Sequence, residues 1–431
     1  MRLTPAEEQV PCGQQYAVGV VQWFLGLVLN CGASLRCAAE VLERLGQATD
    51  SDAITPHWTT GRLWLQRIGL AALLQPKVIA PDWAWIVDHS IQIGQVKCLV
   101  ILGIRLSELP AGRPLCYEDL ELIGLKAMTH ATRQTVAESL EEAVAQTGVP
   151  RVILDDHGVD LHGGVEIFRA EHPSTSEVYD IKHKAACLLK ARLGNDPLWN
   201  GYTSQLGQTK FALQQTELAC LTPPSPRSKS RFMNLAELVE WGIKTLAVLG
   251  DGPGLESLGI SADRAQEKLG WLEAYREPLW GWWSCHRVIA AVLEFVRSEG
   301  LYVRASVALE QKVPAASGDA GVLREELIEF VMNESAKARP GERLPGTTEV
   351  LESCFGKLKA LESSQSKSGF TGLVLSLGAV VSKWTTARLG EALRRCRVSD
   401  VWRWCREHLG ESVQSQRRQA YARPAGATNS G

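Results

Sequence analysis

The sequence has no Cys-x-x-Cys pair. Its 11 cysteines are scattered and odd in number, which points to reduced, mostly buried thiols and away from a disulfide framework or a zinc site. It also lacks a membrane-length apolar run: "AVGVVQWFLGLVLNCGASL" is broken by Gln22 and Asn30 short of the ~20 residues a bilayer needs, and reads as a buried helix. The opening "MRLTPAEEQVPCG" carries two acids and two prolines where a signal peptide would place basic and then apolar residues. Net charge is nearly absent, at −2 from 46 basic and 48 acidic residues, so total charge does not single out nucleic acid as a partner. Its distribution is less even. Residues 353–431 hold 13 Lys/Arg against 5 Asp/Glu, and residues 182–231 hold 8 against 2, leaving room for local basic patches. No internal repeat is present.

With 431 residues the chain has length for two to four domains of roughly 150 residues. Residues 1–78 read as a helical domain. "SLRCAAEVLERLG" places Leu35, Ala38, Ala39, Leu42 and Leu45 on one helical face, and "TTGRLWLQRIGL" follows with Arg62, Gln66 and Arg67 among apolar residues. This pair fits a helix-turn-helix whose second helix lies in a DNA groove, or equally a plain helical hairpin. Next come three strand-like stretches, "WAWIVDHS", "VKCLVILGIRL" and "LCYEDLELIGL", then the helix "ATRQTVAESLEEAVAQTG", a short strand "VIL" ending in acids, the strand "SEVYDI" and the helix "KHKAACLLKARLG". That order predicts an α/β fold with a mixed sheet and flanking helices across 79–195. Residues 196–346 read as α-helical, with a loop at "LTPPSPRSKS" and a tryptophan cluster at Trp280, Trp282 and Trp283. Helices resume over 347–412, and 413–431 read as a basic, disordered tail.

The acids at strand ends are poorly explained by folding alone, since Asp disfavours strands and a carboxylate near a core needs a partner. Asp88 follows one apolar strand, and Asp155 and Asp156 follow another. If those strands are neighbours, their carboxylates converge on one edge, where hard oxygen ligands hold Mg²⁺. A third acid is available in "TTEVLESCFGKLK". There Leu351, Cys354, Leu358 and Leu361 form a buried stripe, and Glu352 borders it with Gly356 and Lys359 on the same face.

In order and type these pieces resemble the DDE transposases of bacterial insertion sequences. In that family a ribonuclease-H-like sheet carries one Asp on its first strand, one after its fourth, and a Glu on a late helix. "IVDHSIQIGQVKCLVILGI" matches the first element at Asp88, "VILDDHGVDLHGG" the second at Asp156, in preference to Asp155 and Asp160, and "TEVLESCFGKLK" the third at Glu352. Glu352 and Lys359 reproduce the Glu-x6-Lys part of a family signature. The Tyr and Arg that precede this Glu in one large group are replaced by Pro345 and Thr348, which keeps Glu349 as an alternative.

"YDIKH" resembles the Cys/Asp-x-x-His motif of several such families, here Asp180 and His183. The helical segment before Glu352 resembles the family's insertion domain, in which a tryptophan, here Trp280, Trp282 or Trp283, can stack on an unpaired base. The resemblance implies two Mg²⁺ (or Mn²⁺) ions held by Asp88, Asp156 and Glu352. It also implies strand cleavage at transposon ends and transfer of the freed 3′-hydroxyl to target DNA. Arg62, Gln66, Arg67, Lys357 and Lys359 are the expected DNA contacts, with double-stranded DNA and a second copy of the chain as partners, in the bacterial cytoplasm at the nucleoid. A nuclease that never joins ends, and an inactive DNA-binding descendant, are the rival functions.

Overall fold

The computed structural model describes residues 8–48, 55–93, 96–226, 234–363, 372–411 and 413–422. The second half of the "LTPPSPRSKS" loop and the last nine residues of the expected tail lie outside them. The chain divides into two compact units. One comprises residues 1–110, 114–178 and 348–431, and the other residues 111–113 and 179–347.

The first unit is built on a five-stranded sheet. Its strands are β1 (Trp83–Ile93), β2 (Val96–Arg105), β3 (Glu121–Met128), β4 (Val152–Asp155) and β5 (Ser176–Tyr179), in the order β3-β2-β1-β4-β5. The pairs β1/β2 and β2/β3 are antiparallel, and β1/β4 is parallel. The sheet is therefore mixed and the fold α/β, as the element order predicts. The alternation in "WAWIV" sorts the faces of β1. Trp83, Trp85 and Val87 join one apolar cluster with Val136 and Leu140 of α4 (Arg133–Thr147) and with Leu161, Val165 and Phe168 of α5 (Val159–Glu171). Thr132 caps α4 by accepting from the Thr135 amide, and Gly148, at φ 80°, ends it.

Helix α5 is absent from the order of strands and helices read from the sequence, which passes from "VIL" and its acids directly to "SEVYDI". Its paired glycines hide an apolar stripe of Leu161, Val165 and Phe168, spaced i, i+4, i+7. They are there because α4 comes very close: a Cβ on Gly164 would sit 2.5 Å from the Cβ of Val136. Gly164→Ala is accordingly expected to destabilise the unit by about 1–3 kcal/mol through overpacking, read as a lower denaturant midpoint.

The N-terminal helices are not a separate domain. Helices α1 (Val18–Leu25), α2 (Leu35–Ala48) and α3 (Trp58–Leu74) belong to the same unit as the sheet. A π-helical turn, Gly26–Asn30, extends α1. Helix α3 is apolar on every side and lies inside the unit, packed against C-terminal segments nearly 300 or more residues away in sequence. Gly69 meets Gly378 there, and a Cβ on Gly69 would fall 1.7 Å from the Leu375 carbonyl oxygen.

The second unit is α-helical, as expected, but begins at residue 179. Its helices are α6 (Ile181–Leu193), α7 (Pro197–Leu213), α8 (Leu235–Leu249), α9 (Gly252–Ser257), α10 (Ala262–Leu269), α11 (Arg276–Glu299), α12 (Ala305–Lys312) and α13 (Gly318–Ser335). The chain then returns to the first unit as α14 (Glu349–Ser363), α15 (Ser376–Val380), α16 (Thr386–Arg395), α17 (Val398–His408) and α18 (Val413–Ala422). The tail expected to be disordered is thus helical as far as Ala422. Among the described residues no helix is long and apolar enough to cross a membrane.

Candidate active site

The parallel pairing of β1 and β4 decides where the two aspartates fall. Ala84 pairs with Val152, Trp85 with Ile153, and Ile86 with Leu154. Asp88 and Asp156 each lie two residues beyond the last of these pairs. Strand β1 does not stop at Asp88, as the sequence suggests; it runs on to Ile93 in its ladder with β2. The acid therefore sits within a central strand, half-buried. Backbone amides hold both carboxylates: His89 N–H donates to Asp88 Oδ1 (2.6 Å), and Gly158 N–H donates to Asp156 Oδ1 (2.8 Å).

Helices α4 and α5 occupy the face of Trp83, Trp85 and Val87. Helix α14 also packs on β1. Its buried stripe is as the sequence predicts, with Leu351, Cys354, Leu358 and Leu361 all buried. Glu349 is half-buried and Glu352 exposed, both in the first turn, where the helix dipole favours negative charge. Asp88, Asp156 and Glu352 thus belong to one unit, with Glu352 on a helix that packs on β1.

No family model and no curated protein matches the chain.

The neighbouring acids have other partners. Asp160, in the first turn of α5, pairs with Lys97 (3.3 Å). Asp155 is fully buried; its Oδ1 accepts from His157 N–H (2.6 Å), and its Oδ2 has no hydrogen-bond partner among the described residues. Burial, and then the adjacent Glu177 carboxylate, push the Asp155 carboxyl up to about 8. His157 takes the left-handed conformation, at φ 55°. Burial, followed by the Lys97 charge, lowers the pKa of His89, against the pull of Asp160 and Asp156.

Beside Asp155, His157, His162 and Glu177 each offer a ligand atom within 4.8 Å of the others, a grouping able to hold a metal ion. Among the described residues this is the three-membered set that closes so tightly; the Asp88, Asp156 and Glu352 oxygens do not. The sequence reading missed it because His157 lies before α5 and Glu177 on β5. The visible signals were His-x4-His and an acid within a buried strand.

Several expected DNA contacts are internal. Gln66 and Arg67 are buried, at 8% and 5% exposure. Arg67 Nε donates to the Cys396 carbonyl (2.7 Å), Nη1 to Gln14 Oε1 (2.8 Å) and Nη2 to the Leu393 carbonyl. It anchors the end of α16 and is not available to a groove, so the recognition-helix reading of α3 does not stand for these residues. Arg62 is half-buried, near the Trp58 ring. Lys357 is also internal, donating to the Leu29 carbonyl (2.9 Å) and to Tyr117 Oη (2.6 Å), whereas Lys359 is exposed.

In the second unit Asp180 is buried and caps α6 through the Lys182 amide (2.8 Å), while His183 is exposed. Trp282 is buried among Trp199, Tyr202 and Tyr275, with ring centroids 4.9–6.5 Å away, and cannot stack on a base. Trp280 is 55% exposed. Trp282→Ala is expected to cost about 3–5 kcal/mol of stability, and Trp280→Ala less than about 0.5 kcal/mol, as measured by thermal unfolding.

Proposed function

We propose that the chain is a DNA transposase whose Asp88, Asp156 and Glu352 cut transposon ends and join them to target DNA. One observation carries the reading: the parallel β1/β4 register puts Asp88 on β1 and Asp156, just past the end of β4, each two residues beyond the Ile86–Leu154 pair, and α14, which bears Glu352, packs on β1. An acid on β1, another after β4 and a third on a late helix is the arrangement expected of a ribonuclease-H-like core, and the mixed sheet agrees with it. The helical second unit, which enters the chain between β5 and α14, has the place of an insertion domain.

Three carboxylates offer only hard oxygen donors, which suits Mg²⁺ or Mn²⁺. Asp88, Asp156 and Glu352 would hold such ions, whose chemistry when bound would be Lewis-acid activation of the attacking oxygen and stabilisation of charge on the leaving one. The protein's part is position. Strand pairing fixes Asp88, the end of β4 sets Asp156, the amides of His89 and Gly158 limit their rotation, and the first turn of α14 presents Glu352, with Glu349 three residues before it. No covalent protein intermediate is needed, because an aligned 3′-hydroxyl displaces directly at the phosphodiester.

DNA contact is assigned to exposed cations: Lys359 on α14, Arg394, Arg395 and Arg397 around the end of α16, and Arg417 and Arg418 on α18. Such contacts follow phosphates and weaken steeply with salt. Trp280 is the candidate for stacking on an unpaired base, worth about 1–3 kcal/mol. Two DNA ends call for two copies of the chain. A Cβ on Gly356 would meet nothing within 4 Å among the described residues, so no described neighbour requires glycine there. Gly356→Ala is expected to raise stability by up to about 1 kcal/mol while weakening DNA binding in a filter or anisotropy assay, because the duplex passes close to that turn.

Incubating the chain and Mg²⁺ with labelled inverted-repeat ends from the flanks of its coding region, together with target DNA, tests the reading. Joined products support it. Hydrolysis alone assigns the protein to nucleases, and binding without cleavage to inactive regulators.

A further inference from the structure

We propose that His157, His162 and Glu177 form a structural Zn²⁺ site, with the Asp155 carboxylate beside them. The ligand atoms are already gathered. His162 Nδ1 lies 2.6 Å and His157 Nε2 3.4 Å from Glu177 Oε1, and the two imidazole rings stack at 4.3 Å. The sheet and α5 bring them together. His157 follows β4, His162 sits in the first turns of α5, and Glu177 lies on β5 next to β4.

Two buried carboxyl groups adjoin the histidines. Glu177 is 5% exposed and Asp155 fully buried. Arg169 Nη1 donates to Glu177 Oε2 (3.3 Å), which fixes that carboxylate with Oε1 toward the histidines, and Asp155 lies against Glu177.

The donor chemistry selects the metal. Two imidazole nitrogens with carboxylate oxygen suit Zn²⁺, whereas an oxygen-only set suits Mg²⁺. An outer carboxylate is also in place: Glu166 Oε1 lies 3.6 Å from His162 Nε2, the second nitrogen of that ring, as is usual for metal-bound histidine. The ion takes the place of the proton now shared by His162 Nδ1 and Glu177 Oε1, so binding releases protons. Its effect is to tie the end of β4, the start of α5 and β5 together, immediately beside Asp156. The inference uses none of the three acids assigned to catalysis and stands whether or not the chain transposes.

The test is the zinc content and affinity of the full-length chain. After chelator dialysis, the protein is titrated with ZnCl₂ in excess Mg²⁺ against a chromophoric competitor, and unfolding is followed with and without zinc. The expected result is one Zn²⁺ per chain and a higher unfolding midpoint with zinc. His162→Ala and Glu177→Gln should each weaken binding by about 100-fold or more, while the double variant Asp88→Ala/Glu352→Ala retains the full stoichiometry. His162 is 38% exposed along its side chain, so its truncation leaves a folded protein to measure, with circular dichroism as the check. Failure to bind stoichiometric zinc overturns the proposal. So does zinc that persists in His162→Ala and disappears in the Asp88/Glu352 variant, since the ion would then belong to the three acids.

Discussion

Asp88→Asn, Asp156→Asn and Glu352→Gln are each expected to lower Mg²⁺-dependent strand cleavage by about 1000-fold or more, which is ~4 kcal/mol of transition-state stabilisation. The amide keeps the size of the carboxylate and an oxygen acceptor for the His89 and Gly158 amides, so the local fold is retained. What is lost is the anionic oxygen that a hard cation requires. Glu352 is exposed and Asp88 half-buried, so unfolding midpoints should move little. That separation of cleavage from stability marks a functional acid. Glu349→Gln is the internal comparison: it occupies the same turn of α14 and should retain most of the activity if Glu352 is the ligand.

Arg67→Ala carries the largest expected effect on stability, a loss of about 3 kcal/mol or more. Truncation leaves the Cys396 and Leu393 carbonyls and the Gln14 side chain without their donor, and each buried unsatisfied group costs about 1–3 kcal/mol. The cost falls on the joint between α3 and the end of α16. Denaturant unfolding should record it, while DNA affinity of the folded fraction stays unchanged. The opposite pattern, full stability with weakened DNA binding, would restore α3 as a groove-reading helix.

These two predictions mark where local sequence pattern succeeds and where it fails. The face alternation of "WAWIV", the Gly148 stop of α4 and the stripe Leu351, Cys354, Leu358, Leu361 were all readable, because each is set by residues within one or two turns. The fate of Arg67 was not. Its carbonyl partners lie 326 and 329 residues away in sequence, and no local window distinguishes a surface arginine from one that pairs with a distant helix end. The apolar surround in "LWLQRIGLAALL" was the available hint, since a helix apolar on all sides is buried.

Trp282 and Trp280 lie on opposite faces of one turn of α11. Their contrast depends on the aromatic cluster of α7 and the segment before α11, which the spacing of three tryptophans does not encode. Helix α5 was concealed by the glycines that its packing against α4 demands. Lys357 and Lys359 look alike in "FGKLK", yet one reaches inward to Tyr117 and the other faces solvent. Asp88 and Asp156 stood out in the sequence because an aspartate beside a buried strand needs a partner. Their mutual position required the parallel β1/β4 register, which a connection containing three helical or strand elements leaves open in sequence.

The proposal that Asp88, Asp156 and Glu352 make and break phosphodiester bonds in DNA is tested most directly by covalent joining of a labelled, pre-cleaved transposon end to target DNA in Mg²⁺, wild type against Glu352→Gln. Joined product is expected from the wild type and none detectable from the variant. Equal joining by both proteins, or none from either while the end is bound, would contradict it.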